Sequence, residues 1–123
     1  MAVFSFVVQS KGNPVPYKRT TQKAKWTDTE YKRYQEWKSK VVADFVKEFK
    51  KFPYQILKPN VKYYVEIEVF YMNKAHGDTD NVFKGILDAI FTKPLSDKYV
   101  CGSMDYFYDA KNPRVEIIIL EQC

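Results

Sequence analysis

Cysteine and histidine are scarce in this chain, and long apolar runs are missing. The 123 residues include two cysteines, Cys101 and Cys123, and one histidine, His76. The cysteines match no zinc-ligand spacing, so we expect free thiols in a reducing compartment, by default the cytoplasm. No stretch approaches the roughly 20 apolar residues of a membrane span. The first residues lack the basic leader and long apolar region of a signal peptide, and we interpret them as a strand.

Acidic residues are absent from the first 27 positions. That segment holds five basic residues, whereas the rest of the chain carries 15 Lys and Arg against 15 Asp and Glu. The five are Lys11, Lys18, Arg19, Lys23 and Lys25. The whole net charge of +5 therefore lies in a basic arm over residues 10–26. Such an arm is typical of binding to a phosphate backbone, because each base displaces a counterion. A solvated basic loop is the alternative.

The length and the apolar content fit one compact domain. Hydrophobic residues make up 46% of the chain and aromatic residues 17%, enough for a core without disulfides. Apolar periodicity predicts strands at about 1–9, 61–72, 99–108 and 114–120, and helices at about 28–51 and 80–91. The order is β-α-β-α-β-β. We therefore expect a single α+β domain in which the helices pack on a mixed sheet.

Local patterns support these elements. Thr27 followed by Glu30 is a capping box, and Pro53 would end the first helix. The core face of that helix is predicted to hold Tyr34, Trp37, Val41, Phe45 and Phe49. The second helix would turn Phe83, Ile86, Leu87 and Ile90 inward, and the second strand Val65, Ile67, Val69 and Tyr71. Residues 109–113 predict the turn of a hairpin between the last two strands.

Two aspartates between the second strand and the second helix are candidates for metal binding. In an extended segment Asp78 and Asp80 would point the same way, and carboxylates are the ligands that Mg²⁺ and Mn²⁺ prefer. Such ions promote phosphodiester hydrolysis. Asp97, after the second helix, is a plausible third ligand. The alternative is that the aspartates cap helices and that Lys84 pairs with Asp80 or Asp88 in ordinary helical ion pairs.

The same part of the chain and the basic arm contain three other candidate features: a calcium loop, a histidine and two aromatic residues. A calcium loop starting at Asp78 is excluded, because its sixth position is Phe83 instead of Gly. His76 could join Asp78 and Asp80 around manganese or zinc, or be incidental in its loop. Tyr17 and Trp26 flank the basic arm, where they could stack on unpaired bases or pack back on the domain.

A longer motif carries a family resemblance. The chain reads His76-Gly-Asp78-Thr-Asp80-Asn81-Val-Phe-Lys84, then Asp88-Ala-Ile90, then Ser96-Asp97-Lys-Tyr-Val100. This resembles the RusA-like family of Holliday junction resolvases, whose signature runs Asp-x-Asp-Asn-x-x-Lys, Asp-Ala-Leu, and an acid shortly before Val. The basic entry Asn13-Pro-Val-Pro-Tyr-Lys-Arg19 and the closing strand from Arg114 to Ile119 also fit. The resemblance spans most of the chain and is most specific over residues 76–100.

The resemblance implies roles for individual residues. Asp78, Asp80 and Asp97 would be the catalytic and metal-binding acids, and Lys84 the lysine that contacts phosphate or neutralises the transition state. Glu68 would support the site, while Asn81 and Asp88 would hold the helix start and nearby backbone. The chain departs from the family in having Ser96 before Asp97, Tyr99 where Gln is frequent, and one base where an arginine-rich run is frequent. The acid triad is retained.

The function expected from these observations is a Mg²⁺- or Mn²⁺-dependent endonuclease that cuts four-way DNA junctions. The resemblance also implies a homodimer, in which an apolar face including Phe70 or exposed tyrosines would form the interface. Three alternatives stay open. They are a nuclease of the same fold for flaps or forks, a module that binds branched or single-stranded DNA without cutting, and a structural domain whose aspartates only cap a helix.

Overall fold

The computed structural model describes residues 2–18, 29–52, 57–91 and 100–121. Four strands and two helices follow one another in the predicted order. They are β1 (Ala2–Gln9), α1 (Thr29–Phe49), β2 (Tyr63–Tyr71), α2 (Thr79–Ile90), β3 (Val100–Tyr108) and β4 (Arg114–Glu121). The predicted boundaries are correct to within about two residues. None of the helices in these ranges is long and apolar enough to cross a membrane.

The strands form one mixed sheet in the spatial order β1-β4-β2-β3. β4 pairs antiparallel with both β1 and β2, whereas β2 pairs parallel with β3. Parallel neighbours need a crossover, and α2 supplies it between β2 and β3. The expectation of an α+β domain with a mixed sheet is confirmed.

The predicted hairpin between the last two strands is wrong. β2 lies between β3 and β4, so residues 109–113 cross the end of β2, where the Asp109 amide donates to the Tyr71 carbonyl oxygen at 2.8 Å. The physical reason is burial. The inward positions of β2 and β4 are apolar and almost fully buried, so these strands take the centre. The β3 residues paired with the buried positions of β2 are Gly102 and residues with exposed side chains, so β3 lies at the edge of the sheet.

Both helices contribute to a single core on one face of the sheet. In α1 the predicted face is confirmed: Tyr34, Trp37 and Val41 are buried, and Phe45 and Phe49 pack at its margin. α2 is rotated slightly from its predicted face. It buries Val82, Gly85, Ile86, Ala89 and Ile90, while Phe83 and Leu87 are only partly buried.

The opposite face of the sheet carries no helix from the described residues. In β1, Phe4, Phe6 and Val8 are buried, whereas Val7 is 44% exposed on the open face. Phe70 of β2 lies on the same side, stacked on Phe107 of β3 with ring centroids 5.1 Å apart. The catalytic candidates lie elsewhere, where α2 begins.

Candidate active site

The first candidate acid stands at the N-terminus of α2. Asp78 is the N-cap residue, with extended backbone angles of φ −68° and ψ 135°. Its carbonyl oxygen accepts from the amides of Asn81 and Val82 at 3.1 and 3.3 Å. Its exposed side chain, however, makes no capping hydrogen bond. The helix-cap alternative therefore does not account for this carboxylate.

The second acid lies inside the helix. Asp80 is in the first turn of α2, so the premise that Asp78 and Asp80 share one extended segment is wrong. Both carboxylates are exposed beside the same helix end, where the macrodipole favours negative charge. Asp80 forms no ion pair with Lys84, although the two are four residues apart. Within the described residues, both carboxylates are therefore available to a cation.

Tyr71 fixes the start of α2 against the sheet. Its ring is buried at the end of β2, and its hydroxyl shares a 3.0 Å hydrogen bond with the Thr79 hydroxyl. Burial raises the pKa of Tyr71; the Thr79 hydrogen bond opposes that rise, and the nearby charges of Asp78 and Asp80 add to it. Both carboxylates thus lie within electrostatic range of one buried hydroxyl.

The N-terminal arm is docked beside this helix start. The Asn13 side-chain oxygen accepts from the amides of Met72 and Asn73, while its nitrogen donates to the Asn73 side-chain oxygen and the Ala75 carbonyl oxygen. Further along, the Tyr17 amide donates to the Asn81 carbonyl oxygen at 2.9 Å. Over residues 10–18, therefore, the arm is attached to the domain and is not a solvated loop.

Lys84 projects from α2 next to the arm. Its ammonium lies 4.6 Å from the centroid of the Tyr17 ring, which itself packs edge-on against Tyr34. Tyr17 thus packs back on the domain. Lys84 forms no ion pair with a described residue, because Asp88 instead contacts Lys38 at 2.9 Å and Tyr34 at 3.4 Å. The helical ion pairs considered for Lys84 do not form, and no acid of the described ranges neutralises its charge.

Two other candidate contributors have different surroundings from the aspartates. Glu68 lies exposed on the open face of β2, in register with Asp105 and Glu116 of the neighbouring strands. His76 stacks on Tyr71 with ring centroids 3.5 Å apart, and its ring nitrogens contact the Gly77 carbonyl oxygen and the Tyr108 hydroxyl. In the described part of the chain, no three His, Cys, Asp or Glu residues are grouped to hold a metal.

Several predicted residues can be located and others cannot. Asn81 is exposed in the first turn of α2, Lys11 is exposed in the arm, and Lys18 lies 3.7 Å from Glu30. Asp97, Arg19, Lys23, Lys25 and Trp26 lie outside the described residues. The predicted triad can thus be followed for Asp78 and Asp80 only.

One known protein family matches almost all of this chain. The sequence model of the family described as endodeoxyribonuclease RusA matches residues 6–120, which is nearly the whole chain. This chain belongs to the RusA endodeoxyribonuclease family. No individual curated protein matches it. Members of this family are endodeoxyribonucleases, so DNA is the polymer on which this chain acts.

Three residues beside the candidate site have contacts that sequence reasoning did not predict. Asn13 holds the arm, Tyr71 holds the helix start, and Arg33 borders the clefts beside the arm. Asn13 precedes a proline, which predicts extended backbone but not its side-chain partners. Tyr71 was predicted correctly as a core residue, and its hydroxyl contact depends on tertiary structure.

Proposed function

We propose that this chain is a Mg²⁺- or Mn²⁺-dependent endonuclease that resolves four-way DNA junctions by paired phosphodiester hydrolysis. The supporting observation is the Asp78 side chain, which stands at an N-cap position without capping the helix. A hard-cation site needs carboxylates that amides and lysines do not already occupy. Asp78 and Asp80 meet that requirement among the described residues.

The donor set fits a hard divalent cation. We propose that Asp78, Asp80 and Asp97 hold it, since an oxygen-only set suits magnesium and manganese better than zinc. Both nitrogens of His76 are engaged elsewhere, which also argues against a nitrogen ligand. When bound, the ion supplies charge neutralisation at the scissile phosphate.

Lys84 would act on the same phosphate. No carboxylate of the described residues pairs with its ammonium, which lies over the Tyr17 ring. A lysine in that state can donate to phosphate oxygens and stabilise the negative charge that grows on them in the transition state. Tyr17 limits the number of positions that the flexible Lys84 side chain can take.

The path of the DNA backbone is proposed to follow the arm and α1. A cleft of about 320 Å³ between them is lined by Lys11, Arg33 and Lys40, among others, and a cleft of about 250 Å³ beside His76 also has Arg33 in its wall. Arg33 has no acidic partner among the described residues. With Lys18 added from the described part of the arm, this side of the molecule suits a polyanion. Arg19, Lys23 and Lys25 lie outside the described residues and are proposed to bind DNA on their charge alone.

A homodimer completes the proposal. A four-way junction presents two strands related by approximate two-fold symmetry, and a two-fold dimer would bring one catalytic site to each. Paired cuts follow from that arrangement.

The test is cleavage of an end-labelled synthetic four-way junction by the purified protein with Mg²⁺, Mn²⁺ or EDTA. We expect symmetric nicks that require metal and disappear in Asp80→Asn, while junction binding persists. Asp44→Asn is the matched control, because Asp44 is a partly exposed carboxylate of α1 paired with Lys40. Undiminished cutting by Asp80→Asn would refute the proposed site.

Two further measurements separate the alternatives. Titration calorimetry with Mn²⁺ should show binding to the wild type and not to the Asp78→Asn/Asp80→Asn double variant, and this readout needs no cleavage. Parallel digestion of junctions, flaps and forks ranks the substrates. Salt-sensitive binding with no metal-dependent product on any of them would mark a DNA-binding module.

A further inference from the structure

A small cleft lies next to the candidate aspartates. It is bounded by the arm over residues 13–16, by Glu30 and Arg33 of α1, and by the loop over residues 75–77, and its volume is about 250 Å³. We name it the arm cleft. Its volume lies just below the roughly 300–1,000 Å³ of sites that take drug-sized ligands. The arm cleft is therefore suited to a ligand of about the size of one nucleobase.

The walls of the arm cleft are held in place by contacts within the domain. Pro14 is buried, and a Cβ at Gly77 would lie only 2.9 Å from the Pro16 Cγ, so the arm and the loop pack closely. The His76 ring, which also lines the cleft, is stacked on the buried Tyr71 ring with centroids 3.5 Å apart. A site that is formed before its ligand arrives loses little entropy on binding.

The arm cleft presents an acid and a base that do not neutralise each other. Glu30 and Arg33 are three residues apart on α1, a spacing at which opposite charges usually pair. They form no ion pair with each other, and the one described partner of Glu30 is Lys18, at 3.7 Å, with the Glu30 side chain 79% exposed. A ligand in the cleft therefore meets a carboxylate that is free to accept hydrogen bonds.

The same charges distinguish the arm cleft from the larger cleft on the other side of Arg33. The larger cleft has Lys11, Arg33 and Lys40 in its wall against one acid, Glu36, and suits a phosphate. In the arm cleft Glu30 would repel a phosphate, while the proline and valine side chains of the arm offer apolar surface. An occupant with apolar faces and a hydrogen-bonding edge fits this wall better, and a nucleobase has that form.

We propose that the arm cleft binds one unpaired guanine beside the scissile phosphate, and that Glu30 recognises it. The inference rests on the proposed function, because it takes the cut to occur at Asp78 and Asp80, and it adds a base preference to that cut. On its Watson–Crick edge an unpaired guanine has two adjacent donors, N1–H and N2–H, and a carboxylate accepts two bonds side by side. Adenine, cytosine and thymine each donate from a single nitrogen on that edge, so Glu30 favours guanine.

The loop relates the arm cleft to the cut. Gly77 lines the cleft and directly precedes Asp78, and the two residue steps from His76 to Asp78 span at most about 7 Å. A base in the cleft therefore belongs to a nucleotide at or beside the phosphate that the aspartates address. Extruding a base costs least where its pairing is already broken, as at the branch point of a junction. Intact duplex has no such base, so the cleft couples cutting to branched structure.

Junctions that differ only beside the cut measure the base preference. Each of the four bases is placed in turn on either side of the mapped scissile phosphate, and kcat/KM is determined for each junction. We expect guanine to be preferred at one of these positions by about 5- to 150-fold, the range for a bidentate contact to a base. Glu30→Gln should remove most of this preference, because its amide has one acceptor and sets an N–H against the second guanine donor.

Glu48→Gln is the matched control for these junctions. It removes one carboxylate from the same helix, at the opposite end of α1, where Glu48 is paired with Lys51 at 2.9 Å. Its base preference should equal that of the wild type. Equal kcat/KM for all four bases in the wild type, or a guanine preference that survives in Glu30→Gln, would overturn the inference.

Binding in EDTA separates the inference from the proposed function. Fluorescence anisotropy compares junctions that carry guanine or inosine at the preferred position, since inosine lacks only the N2 amino group. The wild type should bind the inosine junction more weakly, whereas Glu30→Gln should bind both junctions equally. That result without any metal-dependent cut would support the arm cleft and overturn the proposed function. Metal-dependent cutting by a wild type that does not distinguish guanine from inosine would overturn the arm cleft alone.

Discussion

Asn13 is joined to Ala75 by a 2.9 Å hydrogen bond from its side-chain nitrogen to the backbone carbonyl oxygen. This contact joins two residues that are 62 positions apart in the chain, and it connects the arm to the loop that leads into Asp78. The same side chain also accepts from the Met72 amide at 2.6 Å. The Asn13 carboxamide thus helps to hold the arm beside the candidate catalytic aspartates.

Replacement of Asn13 is therefore expected to affect cleavage through the geometry of the loop. Asn13→Ala removes its hydrogen bonds and should lower the free energy of unfolding by about 1–3 kcal/mol. Both Asn13→Ala and Asn13→Asp should reduce kcat. The aspartate can still accept from the Met72 amide, but it cannot donate to the Ala75 carbonyl oxygen and repels it. Asn112→Ala is the control, since the exposed Asn112 makes its hydrogen bonds through its backbone. Urea unfolding and junction cleavage measure the two effects; unchanged kcat in both Asn13 variants would rule out a positioning role.

The contact between Gly77 and Pro16 gives a second test of the docked arm. A Cβ at Gly77 would lie 2.9 Å from the Pro16 Cγ, and a proline ring cannot rotate away. We expect Gly77→Ala to destabilise the protein by about 1–3 kcal/mol through overpacking and to reduce cleavage. Gly12→Ala is the matched control, because a Cβ at Gly12 meets nothing within 4 Å. If the two variants melt at the same temperature and cut equally well, the arm does not depend on this contact.

Arg33 is expected to contact the DNA backbone. Its removal should weaken junction binding at every sequence and reduce the slope of log K against log salt by about one unit. Lys51→Ala is the control for charge, since Lys51 follows α1 and is paired with Glu48 at 2.9 Å. Binding isotherms at several salt concentrations measure both slopes. An Arg33→Ala slope equal to that of the control would place the backbone path elsewhere.

The sequence predicted elements well because their patterns are local. The alternation in β2 and the stripe from Tyr34 to Val41 are each set by neighbouring residues, and both were confirmed. Strand pairing is not local: adjacency along the chain suggested a hairpin of β3 with β4, but the greater burial of β2 places that strand between them. The shift of the α2 face from Phe83 to Val82 has the same origin, since the sheet beneath the helix decides its rotation.

The candidate site was predictable in its residue types and not in its contacts. Asp78 and Asp80 are recognisable in the sequence as candidate ligands. The sequence predicted them in one extended segment, whereas they lie at a helix N-terminus, where the directions of the two side chains differ from those in a strand. The Asp78 side chain makes no capping hydrogen bond, and Lys84 pairs with no described acid. The second feature depends on where Tyr17 and Asp88 pack. Such features follow from tertiary structure and cannot be inferred from spacing.

Alkaline pH should destabilise the fold through Tyr34. Burial, and then the charge of Asp88, raises the pKa of Tyr34 above its usual value near 10. The folded state therefore holds the phenolic proton more tightly than the unfolded state does. The stabilisation is complete below about pH 10 and is lost as the pH rises further, by up to about 1.4 kcal/mol per pH unit.

Urea unfolding between pH 9 and 11 should show a shallower loss of the free energy of unfolding for Tyr34→Phe than for the wild type. Tyr106→Phe, which changes an exposed tyrosine, should follow the wild type; identical curves for all three proteins would contradict the assignment.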